Sequence, residues 1–251
     1  MVIRPSIPAA CLILLFASLL PAPAQGIPDK FTNLKVLPTN IARQELISKM
    51  RGFVFSLGVR CDYCHAGKNG ADLKEMDFAS DAKKEKATAR TMIRMTQEIN
   101  RTYIANISKP PETVECVTCH RGSSHPRTLQ VVLSREMDQN GLNSAVAMYR
   151  QLRKENYGNG QYDFSERSLN LLSESLLSDN KTKEAAAFME LNEEANTPLS
   201  KWGYSCLALA HQANSETQKA ERDFTRILEL DPKDSWAAGE LKSIRSAPKA
   251  E

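Results

Sequence analysis

Two pentapeptides in this chain have the residue types and spacing of cofactor chemistry: Cys61-Asp62-Tyr63-Cys64-His65 and Cys116-Val117-Thr118-Cys119-His120. C-x-x-C-H is the attachment signature of c-type haem. Two thiols add across the vinyl groups of the porphyrin, and the adjoining imidazole gives a nitrogen to the iron. On a short helix the first and fourth residues face the same way, so both sulfurs reach one macrocycle. A four-thiolate zinc site is the competing reading. Its halves usually stand closer, about 15–20 residues apart, and it leaves both histidines without a role. A redox dithiol wants a single motif beside a strand–helix unit, and neither copy has that flank. The pattern therefore predicts two covalently bound haem c groups. Cys61, Cys64, Cys116 and Cys119 would hold them, with His65 and His120 as axial ligands.

The opposite axial position decides what such irons do. An iron with one protein ligand is open to peroxide or gas, whereas imidazole facing thioether raises the potential and suits electron transfer. Met50 lies ahead of Cys61 with Gly58 between them. On a continuous helix it would stand about 16 Å away along the axis, but a turn at Gly58 brings it back. For the second iron, Met92 and Met95 are both in reach, and spacing does not separate them. Arg121, directly after His120, is placed to pair with a haem propionate.

The elements that must position these residues are helical. Ile41, Leu46, Ile47, Met50, Phe53, Val54 and Leu57 recur at helical spacing after Asn40, and Gly58 stops the run. Residues 66–79 read as loop. A second helix is predicted from Ser80 or Asp81 to Ile107, ended by Pro110-Pro111, and the second motif follows on a short helix. The layout is helix, turn, C-x-x-C-H, twice.

Phe55-Ser56-Leu57-Gly58-Val59-Arg60-Cys61-Asp62-Tyr63-Cys64-His65, Met92-Ile93-Arg94-Met95-Thr96-Gln97-Glu98-Ile99-Asn100 and Cys116-Val117-Thr118-Cys119-His120-Arg121-Gly122 resemble haem segments of the photosynthetic reaction centre cytochrome c subunit family. The resemblance covers about Asn33 to Arg127. It implies that Met50 faces His65 and that Met92, ahead of Met95, faces His120. Tetrahaem members have four such segments, and one of their haems takes a distal histidine from the other half. This chain has two segments, with Asn106 about where that histidine would fall, so both irons are expected to be His/Met.

Residues 1–24 read as an export leader: Arg4, an apolar run from Ala9 to Leu20, and Ala22-Pro23-Ala24 before Gln25. That implies a periplasmic protein, or one tethered to the inner membrane if the leader is kept. Cys11 would leave with the leader, and Cys206, in an apolar helical run, reads as a buried small hydrophobe. The net charge of +3 divides unevenly: residues 25–130 carry 17 Lys/Arg against 11 Asp/Glu, residues 131–251 carry 15 against 19. Haem propionates offset the basic half, which argues against a nucleic-acid partner.

Residues 131–251 follow another pattern. Ala186 and Ala220, like Pro198 and Pro232, are 34 residues apart, and Ala220, Phe224 and Pro232 match the second helix of a tetratricopeptide repeat. Five or six antiparallel helices are expected, with a surface that binds a protein segment, packs on the haem region or dimerises. This tail is foreign to the photosynthetic subunit and favours a respiratory role. The whole is expected to be all-α: a leader at 1–24, a dihaem cytochrome c domain at 25–130 and a tetratricopeptide-like domain at 131–251. It would carry single electrons between redox partners and catalyse no reaction. A dihaem peroxidase with one open iron, or a partner-binding module with structural haems, is the alternative.

Overall fold

The structure is a computed structural model, and it describes residues 26–67, 72–107, 109 and 112–246. The leader, Cys11, Asn69, Gly70 and the Pro110-Pro111 stop lie outside the described residues. The fold is all-α, and no described helix is long and apolar enough to cross a membrane. The chain forms two compact units. The first runs up to Val54 and from Arg60 to Val114; the second comprises Phe55–Val59 and everything from Glu115.

In the first unit, α1 (Arg43–Leu57) begins three residues after Asn40, and its last three residues belong to the second unit. Gly58 ends α1 as expected, with φ +64°, a conformation that glycine adopts without strain. The short helix α2 (Cys61–Cys64) follows. The stretch read as loop contains an antiparallel ladder, β1 (Ala66–Gly67) with β2 (Met76–Asp77), pairing Ala66 with Asp77 and Gly67 with Met76.

The next helix, α3 (Lys84–Glu98), starts later than predicted. Asp81 does not cap it, because its carboxylate is taken by Asn33, Lys35 and Arg90. Nor does α3 continue to Ile107: it widens into a π turn over Ile99–Tyr103 and tightens into a 3-10 turn over Ile104–Asn106. Asn100 sits in that π turn. Its side-chain amide donates to the Val114 carbonyl at 2.8 Å and accepts from the Val114 N–H at 2.7 Å, holding the chain just ahead of the second motif.

Among the described residues the second unit holds α4 (Cys116–His120) and seven further helices rather than five or six. These are α5 (Leu129–Asn140), α6 (Leu142–Asn156), α7 (Glu166–Ser178), α8 (Thr182–Asn196), α9 (Lys201–Ala213), α10 (Thr217–Leu230) and α11 (Ser235–Ser246). One buried cluster runs from Leu129 through Tyr149, Leu169, Phe188, Leu207 and Phe224 to Leu241. The repeat is visible in the backbone, with an offset of 35 residues from α7–α8 to α9–α10 and of 34 from α9 to α11. Ser165 and Ser200 precede α7 and α9 with matching dihedrals, and Lys181 and Glu216 precede α8 and α10 in the same way. Ala185, not Ala186, is thus the counterpart of Ala220, and both are completely buried.

Candidate haem-attachment sites

Each motif forms one turn of helix. In α2, the His65 N–H donates to the Cys61 carbonyl at 3.0 Å, so the histidine closes the turn that carries both thiols. In α4, the Glu115 N–H donates to Thr118 Oγ1 at 3.0 Å and Arg121 closes the far end in the left-handed region, φ +48°. The thiols of Cys61, Cys64 and Cys116 are half-buried and that of Cys119 is exposed; none is in a disulfide. Burial, with Glu85 nearby, raises the pKa of Cys64, and burial does the same for Cys116.

The two histidines are prepared differently. His120 Nδ1 lies 2.7 Å from the Ser123 carbonyl oxygen. A carbonyl only accepts, so Nδ1 carries the proton and Nε2 keeps its lone pair for a metal. His65 is held against Phe78, by a ring contact edge-on with centroids 5.1 Å apart and by a hydrogen bond with the Phe78 backbone. Burial first, then the Lys86 ammonium, lowers its pKa, which favours the neutral imidazole a metal needs. Its Nδ1 is buried without a hydrogen-bond partner. Free thiols paired on one turn beside a neutral imidazole are the donor set that covalent haem requires, so the residues fit the group.

The remaining predicted residues are placed as follows. Met50 is half-buried on α1, and Met92 is half-buried on α3, whereas Met95 is 45% exposed. Helix α2 packs on α3, with Lys83 donating to the Asp62 carbonyl. Met50, His65, Met92 and Met95 fall in the first unit and His120 in the second. Arg121 is exposed, as are Asn106 and His125. Cys206 is buried as expected, its thiol against Glu174 and its pKa pushed up to about 12 by burial.

Sequence reasoning missed two positioning features. Asn100 clamps Val114, although no periodicity marks it. Gly122 donates its N–H to the Ser56 carbonyl at 2.8 Å, so the end of the second motif is tied to the turn that ends α1. A Cβ on Gly58 would stand 2.0 Å from the Gly122 carbonyl oxygen. The flanking glycines in the two segments were the only sequence signal for this contact.

The sequence profile of the photosynthetic reaction centre cytochrome c subunit family matches residues 24–194. That span passes Arg127, where the resemblance was expected to end, and reaches into α8. A 69-residue stretch is 36% identical to cytochrome c-554 of Chloroflexus aurantiacus, covering 27% of this chain and 15% of that protein. Another of 69 residues is 32% identical to the photosynthetic reaction center cytochrome c subunit of Rubrivivax gelatinosus, covering 28% and 16%. The chain thus spans less than a fifth of the length of these relatives. Among solved structures, the second TPR domain of the human RPAP3 protein, in complex with an HSP70 peptide, aligns with 47% of this chain and 93% of that one, at 14% identity and TM-score 0.33.

Proposed function

Because the chain belongs to the photosynthetic reaction centre cytochrome c subunit family, we propose that it is an exported dihaem c-type cytochrome that passes single electrons between redox proteins. Bound haem supplies a ferrous–ferric couple, which takes or gives one electron without making or breaking a substrate bond. Cys61 with Cys64, and Cys116 with Cys119, anchor the groups. His65 and His120 would give imidazole nitrogens to the irons. Met50 and Met92 would supply thioether sulfur, and Arg121 would pair with a propionate. An iron held by both imidazole and thioether would leave no place for peroxide or gas, which is why electron transfer is preferred to peroxidase chemistry.

The observation that carries this reading is the hydrogen bond from His120 Nδ1 to Ser123, because it fixes the tautomer a metal ligand needs before any metal arrives. Export follows from the leader-like start, with cleavage before Gln25. The donor and acceptor are proteins, and the helical tail offers a surface for one of them.

The test is a haem count and ligand spectroscopy on protein exported from a host competent in c-type maturation. Two haems per chain and a far-red Fe–S(Met) band are expected. Met50→Ala and Met92→Ala should each remove about half of that band and open one iron to carbon monoxide. A wild-type protein with one iron already high-spin and open would overturn the carrier reading in favour of a peroxidase.

A further inference from the structure

The helical tail contains a cluster that the haem reading does not use. Glu190 on α8, His211 on α9 and Glu216 at the start of α10 bring one ligand atom each within 4.8 Å of one another. The His211 side chain is completely buried, and its Nδ1 lies 2.6 Å from Asp223 Oδ2. Arg222 donates to the other oxygen of Asp223 at 2.8 Å. That carboxylate accepts from both sides, so Nδ1 carries the proton. Nε2 is buried and makes no hydrogen bond. It points its lone pair at Glu190 Oε1, 3.5 Å away, and Glu216 Oε2, 3.8 Å away. A bare lone pair there is repelled by both carboxylates, and that repulsion is relieved by a proton on Nε2 or by a bound cation.

The distances suit one. Ligand atoms about 2.0–2.1 Å from zinc stand about 3.4 Å apart at the tetrahedral angle. The Asp223–His211 bond reproduces the carboxylate–histidine arrangement that orients a metal-bound imidazole from behind. Charge agrees as well. Among the described residues Glu190, Glu193, Glu216 and Asp223 form ion pairs with Lys219 and Arg222 and surround His211, which with a neutral imidazole leaves two negative charges for a divalent ion to balance.

The repeat provides an internal control. At the 35-residue offset, His211 corresponds to Leu176 and Asp223 to Phe188, both buried. One hairpin therefore closes this contact with two apolar side chains. The other places an ionisable pair in the same spot, which gains little stability over a well-packed apolar pair. The fold does not require the substitution, but a ligand site does.

We propose that Glu190, His211 and Glu216 bind a single zinc ion, positioned by Asp223, with water completing the coordination. Imidazole with carboxylates is a zinc donor set. Glu190 and Glu216 are partly exposed, which opens the site to solvent. The ion pins three successive helices, α8, α9 and α10. In the ion-free chain Lys219 stands in as counter-ion, 2.5 Å from Glu190 Oε1 and 2.9 Å from Glu216 Oε1, and zinc displaces it.

The test uses the full haem-loaded chain, stripped with a chelator and titrated with zinc chloride. One zinc per chain, counted against iron by elemental analysis, is expected. X-ray absorption at the zinc edge should show nitrogen and oxygen neighbours and no sulfur. Glu190→Gln and Glu216→Gln alter partly exposed side chains, so the fold survives, and each should weaken binding at least tenfold. Lys219→Met should tighten it by removing the competing ammonium. The proposal fails if the wild type retains no zinc, if sulfur appears in the shell, if either glutamine variant binds like the wild type, or if Lys219→Met abolishes binding.

Discussion

The haem-bearing stretch and the helical tail are held together by different means. From Gly26 to Val114 only Leu46 and Met76 are buried apolar side chains among the described residues. Tyr103 and Ile107 are 64% and 74% exposed. From Leu129 onward one cluster of leucine, alanine and aromatic side chains is almost completely closed. A region of that size without a core of its own is expected to need cross-links or a cofactor to fold. The tail buries its own surface, whereas the stretch before Glu115 exposes apolar surface that a macrocycle held by Cys61 and Cys64 would cover.

The largest effect should come from removing the cofactors. Replacing Cys61, Cys64, Cys116 and Cys119 together by alanine should leave the region before Glu115 open to protease while the tail stays resistant. Limited proteolysis with mass spectrometry reads this directly. An apo protein protected throughout would break the contrast, because it would mean the first unit folds on its own contacts.

The converse change is in the tail. Phe224 is fully buried, with its ring edge-on to Trp236 at 5.3 Å. Phe224→Ala should cost about 3–5 kcal/mol, seen as an earlier far-UV dichroism melt. The haem absorption bands of the folded protein should not move. Bands that shift with this variant would show that the two regions are not independent.

Gly58→Ala should cost less, but at both regions' junction in sequence. The left-handed conformation alone costs alanine about 1–2 kcal/mol, and its Cβ would meet the Gly122 carbonyl. Urea denaturation should show the loss, with the Ser56–Gly122 hydrogen bond broken. A neutral substitution would mean the turn relaxes freely.

How much of this was legible in the sequence follows from how local each feature is. The short helices of the two C-x-x-C-H segments were legible because the motif's spacing is itself one helical turn. The end of α1 was legible because Gly58 marks it. Cys206 was correctly placed inside, as an apolar run implies. Longer-range features were not. Asn100 meets Val114 fourteen residues on, and helical periodicity says nothing of a side chain that bonds backbone. Asn100 makes that contact from within the π turn. A single residue, Gly141, joins α5 to α6, a connection too short to stand out in the sequence as a loop. The 34-residue alanine pair misled by one position because α7–α8 and α9–α10 are offset by 35, whereas Pro198 and Pro232 each stand two residues before the residue that caps α9 or α11 and do mark equivalent points.

The smallest effect expected concerns the charges that tie the coreless region together. Asp81 accepts from Asn33 at 2.8 Å and from Lys35 at 2.7 Å, and pairs with Arg90 at 2.8 Å. Lys35 first, then Arg90 and Asn33, hold its carboxyl well below the usual range. The unfolded chain therefore binds the proton more readily than the folded one, and stability rises with pH across that interval. The contribution is complete above about pH 4, the ordinary aspartate value, and is lost as pH falls toward the folded-state value. Asp81→Asn should thus be less stable than the wild type near neutrality, and the gap should close as the pH is lowered below about 4. Paired urea titrations would measure it. A gap unchanged down the acid range would mean that the region before Val114 does not lean on this ion pair, leaving the cofactors as its main support.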